Sequence, residues 1–210
     1  MEIKIPKPLI KVTGDITLSP YPMFIRYKPH HYSIRGEEVE LIANTLKVGD
    51  ILLRRYFEYL NTMLTPGYWG HAGLYIGNNQ VIHAIGKGVT KEHLFNFCRT
   101  DSFCSRRILA DDPLAVADRA VHFAEKCLGK DYDFGFDIGD DKYSCAELIN
   151  ACYKPLFVND YEKVFGKLTI SWKKLAFSQT VITPAGIYRS KAAETILEIR
   201  DGRIIGLDTL

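Results

Sequence analysis

Two runs of alternating apolar residues flank a Gly-Asn-Asn triplet in Tyr68-Trp69-Gly70-His71-Ala72-Gly73-Leu74-Tyr75-Ile76-Gly77-Asn78-Asn79-Gln80-Val81-Ile82-His83-Ala84-Ile85-Gly86. No other stretch narrows the fold as much. Alternation at period two marks strands with one buried face, and Gly and Asn tolerate the left-handed backbone of a tight turn, so a β-hairpin is predicted. Its register decides whether the two histidines can cooperate. A two-residue loop at Asn78-Asn79 pairs Leu74 with His83 and leaves His71 on the opposite face. A three-residue loop, Gly77 to Asn79, pairs Gly73 with His83 and puts both histidines on one face. The three-residue loop is the expectation adopted here.

A second constraint lies in Tyr143-Ser144-Cys145-Ala146-Glu147-Leu148-Ile149. Ser144 and Glu147 form an S-x-x-E capping box, followed by apolar residues at 148, 149 and 152 on one helix face. With Ser144 as cap, Cys145 is the first helical residue, among unpaired amides at the positive end of the macrodipole, where thiolate is favoured over thiol. The same residue would equally serve as a small apolar group packing a helix start.

Around these two stretches the pattern is that of one domain, 1–210. Residues 1–35, rich in Pro and aromatics, form an N-terminal extension of extended segments and turns, in which adjacent His30 and His31 point apart and make a poor ligand pair. A short helix is expected over Gly36 to Ala43, a strand over Ile51 to Arg54, a helix over Phe57 to Met63 and a strand over Ser105 to Leu109, with Lys91 to Cys98 ambiguous. Asp112 caps and Pro113 opens a core helix ended by Gly129, with Leu114, Ala117, Val121, Ala124 and Leu128 on its apolar stripe. Asp137, Asp140 and Asp141 lack the spacing of a calcium loop and read as a solvated segment. Residues 154–210 are expected to hold helices at Tyr161 to Gly166 and Ser171 to Leu175, then a hairpin on Asp201-Gly202.

Composition excludes several classes. A net charge of +2 over 210 residues, without a Lys/Arg block, gives no footprint for nucleic acid. No apolar run reaches the length of a membrane span, so no integral membrane segment is expected. Met1 to Pro6 lacks the apolar core of a signal peptide. The five cysteines include no C-x-x-C pair, which argues for free thiols in a reducing, cytoplasmic setting. The sequence is silent on oligomeric state.

One constellation is chemically coherent: Cys145 at a helix start, with His71 and His83 far upstream. Nucleophilic catalysis needs a thiolate, a base and a polar group that holds the base in the right tautomer. Two His, one Cys and a water would also suit zinc, but no H-x-E with P-C-x-x-C pattern accompanies them, and neither metal nor cofactor is expected.

Gly49-Asp50-Ile51-Leu52, Trp69 to Gly77, Val81-Ile82-His83-Ala84, Tyr132-Asp133-Phe134 and Tyr143 to Leu148 resemble the circularly permuted branch of the NlpC/P60 papain-like superfamily. The nearest groups are the YiiX/YebB-like proteins and the lecithin retinol acyltransferase family. The likeness covers about residues 46–153, the expected catalytic core. It implies an α+β, papain-like fold, with an antiparallel sheet packed against helices and the catalytic Cys at a helix N-terminus. It also implies Cys145 as nucleophile, His71 as base and His83 as the orienting group. That last position is often acidic in YiiX-like proteins and a histidine in the acyltransferases.

The resulting expectation is a soluble cysteine hydrolase or amidase that forms a thioester on Cys145. Its substrate would be a small cell-wall-type peptide, an amide or an N-acyl or acyl-lipid compound. The alternative is a non-catalytic peptide- or lipid-binding module on the same fold.

Overall fold

A computed structural model describes residues 16–20, 23–27, 32–56, 67–133, 141–157, 161–170 and 173–205, with side chains for 32–56, 67–133, 141–157 and 182–205. The chain divides into two compact units, 1–33 and 34–210. The first contains an antiparallel hairpin of β1 (Ile16–Pro20) and β2 (Met23–Tyr27), in keeping with the extended character expected there.

The second unit is built on a seven-stranded, wholly antiparallel sheet. In chain order its strands are β3 (Ile51–Arg55), β4 (His71–Gly77), β5 (Gln80–Ile85), β6 (Gly88–His93), β7 (Ser102–Ile108), β10 (Ala193–Arg200) and β11 (Arg203–Ile205), and across the sheet they run β11-β10-β7-β3-β4-β5-β6. The α+β arrangement of helices on an antiparallel sheet is therefore present. Helices cover both faces. On one, α3 (Pro113–Lys126), α4 (Cys145–Cys152) and α5 (Pro184–Arg189) bury Ala120, Ala124, Ala146, Leu148, Ile149 and Ile187 against Ile51, Leu53, Ala72, Leu74, Ile82 and Ala84. On the other, α1 (Gly36–Thr45) and α2 (Leu94–Phe97) place Ile42, Leu94 and Phe97 against Leu52, Tyr75, Val81 and Phe103.

The hairpin of β4 and β5 reaches the expected register by another route. Its turn is two residues, Asn78 and Asn79, both left-handed (φ 51° and 55°), and Gly77 pairs with Gln80. A bulge between Tyr75 and Gly77 then adds the odd residue, so that Leu74 faces Ile82 and Tyr75 faces Val81. Continuing that register sets Gly73 opposite His83, as a three-residue loop would have done.

Other expectations change. Tyr161 to Gly166 and Ser171 to Leu175 were expected to be helical, yet β8 (Tyr161–Ile170) and β9 (Lys173–Ile182) form an antiparallel hairpin paired over ten positions. A helix of five or six residues closes only one or two of its own hydrogen bonds, whereas a long hairpin pairs the backbone along its length. Lys91 to Cys98 resolves into the end of β6 followed by α2. In α3 the buried positions are Ala117, Ala120 and Ala124, while Leu114 and Leu128 are exposed. Alanine suits this contact, because Gly49 lies so close to Ala117 that a Cβ on it would sit 2.5 Å from that of Ala117. The expected helix over Phe57 to Met63, His30-His31, Asp137 and Asp140 lie outside the described residues. The Asp201-Gly202 turn joins β10 and β11 as expected.

Asp50 ties the start of β3 to β7. It is buried, accepts from the Lys47 amide at 2.8 Å, and takes a two-pronged Arg107 guanidinium at 2.8 and 2.7 Å. Removing this carboxylate takes charge-assisted hydrogen bonds from a partly exposed guanidinium and from the Lys47 amide, which typically costs about 1.5–3 kcal/mol. Asp50→Ala should therefore lower the unfolding free energy by about that amount in a urea titration, with an unchanged m-value.

Candidate functional site

Cys145 occupies the first position of α4, as the capping box requires. Ser144 Oγ accepts from the Glu147 amide at 3.4 Å, and Glu147 Oε2 accepts from the Ser144 amide at 2.8 Å. Only 8 % of the residue is exposed. Burial raises the thiol pKa above its ordinary value. The N–H groups of Ala72, Ala146 and Cys145 itself, together with Arg54, pull the other way without reversing it. The expectation of a favoured thiolate is thus corrected: amides do face the sulfur, but desolvation outweighs them and the resting group is a thiol.

The two histidines meet. His71 Nε2 and His83 Nδ1 are 2.9 Å apart, with ring centroids at 5.1 Å and planes at 75°. Phe97 packs against both, at 5.9 Å from His71 and 5.6 Å from His83. Gly73 makes this possible, because a Cβ there would lie 2.8 Å from Val81 Cγ1 and 2.9 Å from the Phe97 ring.

By strand alternation both imidazoles share the face of Tyr75 and Val81, whereas α4 packs on the face of Ala72, Leu74, Ile82 and Ala84. The thiol meets β4 at the Ala72 amide, one residue past His71, which begins the strand. Among the described residues no hydrogen bond joins the sulfur directly to either ring.

Both rings are held neutral. His71 lies far below the ordinary histidine range, because of burial first, then Arg54 and His83. His83 is pushed down to about 3 by burial and by Arg54. Arg54 pairs directly with His71 across β3 and β4. Its Nη1 donates to the Phe97 carbonyl at 3.2 Å, and its guanidinium lies 4.2 Å over the Phe97 ring. Glu92, on β6, completes the group, with Oε2 at 3.4 Å from His83 Nε2 and 3.6 Å from Arg54 Nη1.

Sequence reasoning missed Arg54, Phe97 and Glu92. A cation closing the apolar run Ile51 to Leu53 was the one available signal for Arg54. Glu92 becomes a neighbour of His83 only through the β5–β6 pairing, in which His83 faces Thr90 and Val81 faces Glu92.

Residues 45–197 match the family model for the permuted papain-like amidase enzymes, the YaeF/YiiX or C92 family. The chain belongs to that family. The match continues past residue 153 into β10, the strand that lies beside β7. Among solved structures, the fold is similar to that of the metalloprotein YiiX from Escherichia coli O157:H7, at 20 % identity and a TM-score of 0.60, over 74 % of this chain and 99 % of that one. No curated protein matches the sequence. Like other members of this amidase family, the protein is an enzyme of the papain-like class. Among its described residues no group of three or more His, Cys, Asp or Glu is arranged to hold a metal ion.

Buried neutral histidines make folding sensitive to acid. In the unfolded chain each binds a proton near pH 6.5, while in the folded chain it does so only well below that. The unfolded state therefore holds more protons below pH 6.5, and stability present above that value is lost as pH falls toward about 3. Urea unfolding between pH 6.5 and 5 should show a loss per pH unit that rises from about 0.7 to about 1.4 kcal/mol for each imidazole. His83→Gln should flatten the slope by about one proton. A flat wild-type profile would mean that the rings are charged in the folded protein.

Proposed function

We propose that this amidase-family enzyme is a cysteine hydrolase that cleaves an amide or ester through a thioester on Cys145, with His71 as base and His83 as its orienting group. The reading is carried by the 2.9 Å bond between His71 Nε2 and His83 Nδ1, beside the strand amide that faces the thiol. With Nε2 engaged by His83, Nδ1 is the nitrogen of His71 left to take the thiol proton. Catalytic hydrogen bonds are often long before substrate binds, so contact between sulfur and ring is expected to tighten in the substrate complex.

The steps balance. The Sγ–H proton moves to His71 Nδ1 as sulfur attacks the carbonyl carbon, and the developing oxyanion takes N–H donors at the start of α4. Collapse breaks the C–N or C–O bond, and His71 returns the proton to the leaving amine or alcohol. Water, deprotonated by His71, then hydrolyses the thioester and restores the thiol. A neutral thiol beside a neutral imidazole suits this order, because the charge pair forms only during attack.

The substrate class is a small cell-wall-type peptide or an N-acyl or acyl-lipid compound, and a histidine at position 83 favours the acyl side by resemblance to the acyltransferases. The five free cysteines support action in a reducing compartment such as the cytoplasm. No helix among the described residues is long and apolar enough to cross a membrane.

The raised thiol pKa favours one competing reading, a binding module without turnover. Hydrolysis of N-acyl and peptidyl test amides separates the two. Turnover that disappears in Cys145→Ala and falls by about 100-fold or more in His71→Ala supports the hydrolase, while wild-type binding without turnover supports the module. Iodoacetamide should also modify Cys145 at least about tenfold faster than the more exposed Cys152, if base assistance counts for more than access.

A further inference from the structure

Behind the two imidazoles lies a third polar layer. His83 is 1 % exposed, and among the described residues its Nε2 has no hydrogen-bond partner. Glu92 Oε2 is buried and likewise without a hydrogen bond, and it stands 3.4 Å from that nitrogen. Leaving a buried donor or acceptor unsatisfied costs about 1–3 kcal/mol, more if it is charged. These two complementary groups are close enough to bond but poorly aligned, and a turn of the carboxylate or of the ring joins them.

A neutral imidazole carries one N–H, so the bond between His71 and His83 can be made in two ways. In one, His71 donates through Nε2–H and keeps a lone pair on Nδ1, while His83 holds its proton on Nε2, toward the Glu92 carboxylate. In the other, His83 donates through Nδ1–H, His71 carries its proton on Nδ1, and the lone pair of His83 Nε2 points at the carboxylate. Only the first leaves a lone pair on His71 Nδ1, the atom that acts as base in the proposed reaction, and only the first offers an N–H rather than a lone pair to an anion.

We propose that Glu92 is a positioning residue: its carboxylate accepts a hydrogen bond from Nε2–H of His83, selects the first arrangement, and so keeps Nδ1 of His71 free to accept a proton. The inference rests on reading Cys145 and His71 as nucleophile and base. Arg54 is the charged group opposing it. Its guanidinium, 3.6 Å from the same carboxylate oxygen, disfavours protonation of the rings at rest. When the thiol proton reaches His71 Nδ1, the new positive charge is relayed through Nε2–H to His83, whose Nε2–H faces Glu92. The carboxylate supports the charged pair without taking the proton, and the proton departs with the leaving group.

The test uses the full chain labelled with ¹⁵N-histidine, with iodoacetamide as the thiol probe. In the wild type, the nitrogen shifts of His71 and His83 should show protons on both Nε2 atoms and lone pairs on both Nδ1 atoms. Protons on the Nδ1 atoms instead would overturn the proposal before any variant is made. Glu92→Gln keeps shape and an acceptor oxygen but removes the charge. It should slow alkylation of Cys145 by about tenfold, the lower end of the effect of removing an outer partner of a metal-bound histidine. Glu92→Leu, with fold checked by circular dichroism, should also mix the tautomers. An unchanged alkylation rate in Glu92→Gln overturns the role of Glu92. If wild-type Cys145 is instead no faster than Cys152, the hydrolase reading fails, while the tautomer measurement still decides whether Glu92 sets the proton positions.

Discussion

The site depends on the pairing of β4 with β5. Side chains alternate across a strand, so moving this pairing by one residue would send His71 and His83 to opposite faces. The protein closes the hairpin with the shortest common turn, two left-handed asparagines, and then restores the needed offset with a bulge at Ile76 and Gly77. From that offset follow the contact between His71 and His83, the space over Gly73 that Phe97 fills, and, through the β5–β6 pairing, the approach of Glu92.

Electrostatics then decides the state in which these groups wait. A helix start is commonly expected to hold a cysteine as thiolate, and three amides do face Cys145. Yet the sulfur is buried, and the loss of hydration outweighs a partial charge at the end of an eight-residue helix. The same burial, reinforced by Arg54, keeps both imidazoles neutral. Thiol and ring are therefore both neutral at rest, so the proposed attack would separate charge and give a nearby carboxylate a role to play.

Local chemistry was legible in the sequence, and long-range pairing was not. Ser144 and Glu147 announced the helix and the place of Cys145 on it, because a capping box is complete within four residues. Gly-Asn-Asn announced the hairpin, and the requirement that both histidines share a face led to the right offset, though the bulge that provides it left no separate mark. Arg54 and Glu92 could not be placed, since each becomes a neighbour of a histidine only across strands. The errors have the same origin. Each strand of the β8–β9 hairpin looks helical taken alone because its pairing partner lies elsewhere in the chain, and the helix end favours a thiolate only until the burial that the sheet imposes is added.

The order of these parts along the chain follows from the same physics. His71, His83 and Glu92 lie on three successive strands joined by tight turns, so the proposed base and its supports can assemble from contacts close in sequence. Cys145 comes from a helix that packs on the opposite face through Ala146, Leu148 and Ile149, and it needs only to bring its first turn to the beginning of β4. Nothing in that contact depends on whether the helix precedes or follows the strands. What it does require is that the beginning of β4 be open to the helix start, and the Ala72 amide facing the sulfur marks that opening. A chain in which the cysteine comes last can therefore build the same juxtaposition as one in which it comes first, provided that the strand register is kept.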